Sequence, residues 1–216
     1  MEELYMNMET IITIGREYGS GGREIGRKLA QELGITFYDK NLLARAAKES
    51  GFCKELFEKQ DEKPTNSFLY SLVMDTYSFG YSSAAFSDMP LNHKVFLAQF
   101  DTIKKIADEG PCVIVGRCAD YALEEYSNCI HVFIHANMNT KIRRIAAKHD
   151  LTDAKAKELI HKTDKKRASY YNYYTNKKWG ECKEYDLSIN STVLGTEGSI
   201  EIIKNFIELH QNARYK

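Results

Sequence analysis

The stretch IITIGREYGSGGREIGRKLAQELG, Ile11 to Gly34, constrains the fold more than any other part of the chain. Ile11-Ile12-Thr13-Ile14 is a short apolar, β-branched run, the pattern of a strand buried on both faces. Four glycines fall within the next eight residues, 15–22. Ile25, Leu29 and Leu33 then recur at i, i+4 and i+8, which predicts a helix, and Gly34 is its natural stop. A strand that enters a helix through a glycine-rich turn is the building unit of an α/β fold. It is also a way to hold a phosphate, because such a turn aims backbone N–H groups at one point and the helix adds its positive end.

The rest of the sequence repeats the alternation. Strands are predicted at Ile35 to Tyr38, in CVIVGR, in IHVFIH and in YDLSIN. Lys40 to Glu49 reads as a helix with Leu42, Leu43 and Ala46 inward. Phe96, Phe100, Ile103 and Ala107 mark another, ended by Gly110-Pro111. Ile142, Ile145 and Ala146 mark one after IHVFIH, and Ile200, Ile203, Ile207 and His210 mark the last. Residues 151–174 read as one or two polar helices with a loop, and 66–89 as short helices around a cavity. Strands alternating with helices predict a parallel sheet covered on both faces, with the ligand at the carboxyl ends of the strands.

Length and composition bound the alternatives. The chain has 216 residues, 43% of them hydrophobic, enough for one domain with a sizeable core, here placed at residues 10–210. Lys plus Arg equals Asp plus Glu, at 30 each, which argues against a general nucleic-acid coat or a polybasic membrane binder. No apolar run reaches the roughly 20 residues of a membrane span. The opening MEELYMNMET lacks the order of a secretory signal, and a cytoplasmic location is expected. Five cysteines, none spaced C-x-x-C, argue against zinc and against a disulfide framework; buried reduced thiols are expected.

The glycine turn departs from the usual phosphate loop, which ends in Lys and then Ser or Thr. Here the glycines end in Gly22-Arg23-Glu24. Gly19, Ser20, Gly21 and Gly22 can still bind phosphate through the backbone, and the missing cation can come from Arg16 or Arg23. Arg117, at the carboxyl end of VIVGR, is expected to point into the ligand crevice, where its fork suits a phosphate. Arg143 or Arg144 can reach the same place, the other facing water. Asp164 and Arg167 share a helical face, which alone would read as a surface ion pair. Residues 141–183 hold 13 Lys or Arg against 5 Asp or Glu, a local bias suited to a lid over polyphosphate. YYNYY beside them leaves open a single-stranded nucleic-acid platform. Gly15-x3-Gly19-x-Gly21 with Tyr173-x3-Lys177 leaves open a short-chain dehydrogenase, with Asp39 as its ribose acid.

In the order YGSGG, FYDKNLL, VIVGR, VFIHA, KIRRI, TDKKRASYY and YDLSIN, the chain resembles the cytidylate kinase-like proteins, relatives of bacterial cytidylate kinase among the P-loop nucleoside monophosphate kinases. The resemblance runs from Thr10 to about Phe206. It implies a three-layer P-loop kinase fold: a five-stranded parallel sheet, helices on both faces, a helical monophosphate-binding insertion at about 40–108 and a basic lid at about 150–183. It implies that Tyr38, Asp39 and Arg117 meet the acceptor, and that Arg143, Arg144 and Arg167, with Asp164 in the lid, surround the moving phosphoryl group. The loop Lys, the loop hydroxyl and the Asp of GRD are replaced here, the last by Cys118, and Lys40 stands where the family has Thr. These departures bear most directly on cytidylate specificity.

The function expected is transfer of the γ-phosphate of ATP, bound with Mg²⁺, to a small phosphorylated acceptor such as CMP, dCMP or another nucleoside monophosphate. The alternatives are a nucleotide-binding regulatory protein that has lost catalysis, and the dehydrogenase.

Overall fold

A computed structural model describes residues 9–50 and 90–214. The helices expected within 66–89, Cys53 and the middle of the expected acceptor insertion lie outside the described residues.

Five strands form one parallel sheet: β1 (Ile11–Arg16), β2 (Thr36–Tyr38), β3 (Cys112–Val115), β4 (Cys129–His135) and β5 (Leu187–Asn190), in the order β2-β3-β1-β4-β5. The register sets Tyr38 beside Ile114, Ile14 beside Val115, Arg16 beside Ile134 and His135 beside Asn190. The carboxyl ends of the strands therefore gather at one edge of the sheet, the place where open α/β sheets bind ligands. The apolar runs of β1, β3 and β4 are central and buried, as their lack of polar alternation requires.

The helices are α1 (Gly22–Leu33), α2 (Lys40–Ser50), α3 (Leu91–Glu109), α4 (Ala119–Ala122), α5 (Met138–His149), α6 (Asp153–Thr175) and α7 (Ser191–Arg214). One sheet face turns Ile12, Ile14, Val113 and Val132 against Ile25 and Leu29 of α1 and Ile200, Ile203 and Ile207 of α7. The other turns Ile11 and Ile114 against Leu42 of α2, Ile103 and Ile106 of α3 and Leu123 just after α4. Each of these large side chains is almost wholly buried. Burial of that kind contributes about 1.5–3 kcal/mol per side chain before chain entropy is counted. The three-layer arrangement expected from the sequence, a five-stranded parallel sheet with helices on both faces, is the one observed.

One element differs from expectation. Residues 153–175 form a single helix, with no loop inside it. Thr152 caps it by accepting a hydrogen bond from the Lys155 N–H. Its first half packs Ala156 and Ile160 onto Ile145 of α5. Its second half packs Tyr170, Tyr171 and Tyr174 against Phe96 and Leu97 of α3 and Cys118. The YYNYY tyrosines are thus largely core, the rings of Tyr174 and Phe96 stacking at 4.0 Å, which leaves little ring face for a nucleic-acid platform. Tyr173 is directed at His93 (3.1 Å) and Lys177 at Glu124 (2.9 Å), so the dyad that a short-chain dehydrogenase needs is not assembled at the turn. Cys112, Cys118 and Cys129 are buried thiols, but Cys182 is exposed, against expectation.

Candidate functional site

The site begins where β1 ends. Gly19 and Gly21 take φ of 83° and 85°, left-handed values that glycine adopts without a Cβ clash. Gly21 caps α1, and Gly22 opens it. A Cβ on Gly22 would sit 2.7 Å from the Arg16 Cβ and 3.1 Å from the Ile134 Cβ, so the turn is fitted closely against the ends of β1 and β4. The fully buried Ser20 hydroxyl donates to the Glu17 carbonyl at 2.9 Å and accepts from the Gly22 N–H at 3.3 Å. It is committed to shaping the loop.

Arg144 faces this loop from α5, while Arg143 is exposed. Its Nη1 donates to the Ser20 carbonyl at 2.7 Å and lies 3.3 Å from the Gly19 carbonyl; the Ser191 hydroxyl also donates to Ser20. Tying back the carbonyls leaves the opposite side of the turn for N–H groups. Arg144 therefore braces the loop, a role the sequence does not reveal.

Across the cleft, β3 ends in three successive left-handed residues, Gly116 (φ 77°), Arg117 (57°) and Cys118 (55°). Such backbone costs about 1–3 kcal/mol at a non-glycine residue and concentrates at functional sites. It turns Arg117, 5% exposed, toward Asp39, with Nη1 at 3.5 Å from Oδ1 and 3.3 Å from the Val115 carbonyl. Arg23 donates to the other oxygen of Asp39 at 2.5 Å. Burial pushes the Asp39 carboxyl up, but the Arg23 hydrogen bond and the charges of Arg117 and Arg16 outweigh it and hold the group below its ordinary range. Tyr38, half-buried, ends the edge strand just before it.

Arg16 lies directly over Gly116, where a Cβ would come within 2.0 Å of its guanidinium. From α6, Arg167 donates to the Arg16 carbonyl at 3.2 Å and stacks 5.6 Å from the Tyr18 ring. Arg16, Arg117 and Arg167 share a cavity with Asp120, Tyr171 and Trp179. As drawn by the described residues it has room for about one water, about 20 Å³. Asp120 is buried and accepts the Tyr171 hydroxyl at 2.7 Å. Burial pushes its carboxyl above the ordinary range, more than that hydrogen bond pulls it down.

A glycine turn opening a helix, faced by arginines from β1, β3 and α6 on a parallel sheet, is the setting for the comparison with known proteins. The sequence matches the cytidylate kinase-like family over residues 11–193. The chain belongs to that family. It is 26% identical over 102 residues to a cytidylate kinase of Halobacterium salinarum, a segment covering 47% of this chain and 53% of that protein. The match thus spans about half the length of this curated relative. An uncharacterized protein from Eubacterium ventriosum has a similar structure at 28% identity, with a TM-score of 0.70 over 93% of this chain and 99% of its own. A shikimate kinase from Bacteroides thetaiotaomicron shares the fold at 15% identity, with a TM-score of 0.52 over 92% and 98%.

The expected residues are thus gathered unevenly. Arg16, Arg117 and Arg167 converge; Arg23 and Asp39 form a pair at the rim, where the Arg23 side chain is 62% exposed; Arg143 points away from the cluster. Behind the loop, beside the expected lid residue Asp164, lies a buried lysine the sequence did not single out. Lys141 of α5, 4% exposed, places Nζ 2.9 Å from Glu17 and 3.4 Å from Asp164. Asp164 accepts the Tyr18 N–H at 2.6 Å, and Glu17 accepts the Ala136 N–H at 3.1 Å. The signal for Lys141 was its i, i+4 spacing from Ile145, which puts it on the inward stripe of α5.

Proposed function

We propose that the chain is a phosphotransferase that binds ATP with Mg²⁺ at Gly19–Gly22 and passes the γ-phosphoryl group to a small phosphorylated acceptor, a nucleoside monophosphate such as CMP or dCMP first among them. The observation that carries this reading is the meeting of the loop, at the N-terminus of α1, with the arginine-lined cavity of Arg16, Arg117 and Arg167. Family membership supports the same class.

In this reading the loop N–H groups and the end of α1 hold the triphosphate. Arg117 and Arg16 hold the acceptor phosphate and align it with the γ-phosphorus, while Arg167 offsets the charge of the moving group. Alignment and charge compensation then supply most of the rate, and no covalent intermediate is needed. Asp39, kept ionised by its arginines, fixes Arg23 and Arg117 in place. Mg²⁺ enters as part of the nucleotide substrate. Among the described residues no three metal-ligating side chains cluster, and Ser20 is turned onto Glu17. The cavity between the arginines holds about 20 Å³, so in this reading α6 or the Trp179 segment moves outward to admit an acceptor.

The regulatory reading has one observation in its favour: the loop lacks both its lysine and a free hydroxyl. Thermal shift separates the cases. ATP–Mg²⁺ at about 100 Kd should stabilise the protein by about 2.7 kcal/mol, and CMP or dCMP should deepen the shift. A shift with ATP alone and no turnover with any monophosphate would favour the regulator. A shift with NAD(P)H alone would overturn both.

A further inference from the structure

The cluster behind the loop has a geometry of its own. The two oxygens of Asp164 join a backbone N–H, that of Tyr18, to a buried ammonium, that of Lys141. An anion held between a loop N–H and a lysine is what a phosphate loop offers a triphosphate, with the carboxylate in the place of phosphate oxygens. The backbone of Lys141 also touches the loop, since a Cβ on Gly19 would lie 3.1 Å from its carbonyl and 3.2 Å from its Cα.

We propose that Lys141 supplies the cation missing from the phosphate loop, and that Asp164 is a stand-in anion which the bound triphosphate displaces. This rests on reading the loop as a triphosphate site. Arg144 cannot take the part, because its guanidinium is spent on the loop carbonyls. Arg23 is drawn away to Asp39. Asp164 is a poor permanent occupant: burial pushes its carboxyl up by more than the Tyr18 N–H and the charges of Lys141 and Arg167 pull it down. Glu17 stays with Lys141 throughout, anchored by the Ala136 N–H, and steers the ammonium when Asp164 leaves. Asp164 also sits on α6 three residues before Arg167, so displacement would loosen the helix that closes the arginine cavity. Triphosphate binding would then open the way for the acceptor.

The test is calorimetric titration of the full chain with inorganic tripolyphosphate. Asp164→Ala empties the seat and should bind about 3–10-fold more tightly than wild type, as expected when a competing internal occupant is removed. Lys141→Met should bind about 10–100-fold more weakly, the size of a hydrogen bond to a charged group. Removing one member of a buried ion pair can prevent folding. The neutral pair Lys141→Gln with Glu17→Gln, checked by circular dichroism, therefore carries the same expectation. Wild-type affinity in that folded pair would overturn the role of Lys141. Equal or weaker binding by Asp164→Ala would overturn the displacement, because a purely structural Asp164 gives no gain. No binding by the wild type would overturn the underlying reading of the loop, and that outcome is distinct from both.

Discussion

Tyr171→Phe removes one oxygen from the joint between α6 and α4. In the native protein that hydroxyl donates to a buried carboxylate, Asp120, at 2.7 Å. A hydrogen bond to a charged group is worth about 1.5–3 kcal/mol, and the phenylalanine leaves no donor in its place. For a chain of this length each kcal/mol shifts Tm by roughly 2–4 °C. With Asp120 ionised, a loss of about 2 kcal/mol therefore lowers Tm by roughly 4–8 °C. The sign of the pH dependence follows from Asp120, whose folded-state pKa is raised, chiefly by burial. The folded state then binds the proton more tightly than the unfolded one, so this group's contribution is full below the ordinary carboxylate pKa and is lost as pH rises through the folded value. Without the hydroxyl the pKa climbs further, and at acid pH the variant forfeits only a bond between neutral groups, about 0.5–1.5 kcal/mol. Scanning calorimetry across a pH series should find the deficit growing as pH rises through the folded value of Asp120. A deficit independent of pH across the series, or none, would refute the placement of a buried, ionisable carboxyl at that joint.

Other positions give further expectations. Gly22→Ala forces the ends of β1 and β4 away from α1, given the 2.7 Å approach to Arg16; melting should show about 1–3 kcal/mol of destabilisation and no ATP-dependent shift. Asp39→Asn removes a carboxylate whose folded pKa is lowered, so its contribution is present above the ordinary carboxylate pKa and fades as pH falls through the folded value. Its Tm gap from wild type should be widest at neutral pH and narrow only as pH falls below the ordinary carboxylate value of about 3.9 toward the lower folded one. Arg144→Ala frees the loop carbonyls and should raise the nucleotide KM about tenfold, at the scale of a lost charge-assisted bond, while the acceptor KM holds in steady-state kinetics.

The sheet was legible because its strands are unusual in sequence. Ile11–Ile14, Val113–Val115 and Ile130–Ile134 lie in a sheet covered on both faces, so they carry short apolar runs that few other structures need. The glycine turn was legible because two of its residues require positive φ. The continuity of α6 was hidden, since its buried residues change partners midway, from Ile145 to Phe96, and form no single stripe. Lys141 and Asp120 were hidden for another reason: local pattern marks charged residues as solvated, and only tertiary partners, Asp164 for one and Tyr171 for the other, reveal them as buried. The choice between Arg143 and Arg144 depended on how α5 is rotated against the loop.

The measurement closest to the central claim is phosphorus NMR of the chain with ATP–Mg²⁺ and each nucleoside monophosphate in turn. The account predicts that ADP and a nucleoside diphosphate appear together, in equal amounts, with at least one acceptor, and that Arg117→Met abolishes both signals while leaving the ATP-induced thermal shift intact. ADP formed at the same rate with and without every acceptor, or no ADP at all from a protein that binds ATP, would contradict it.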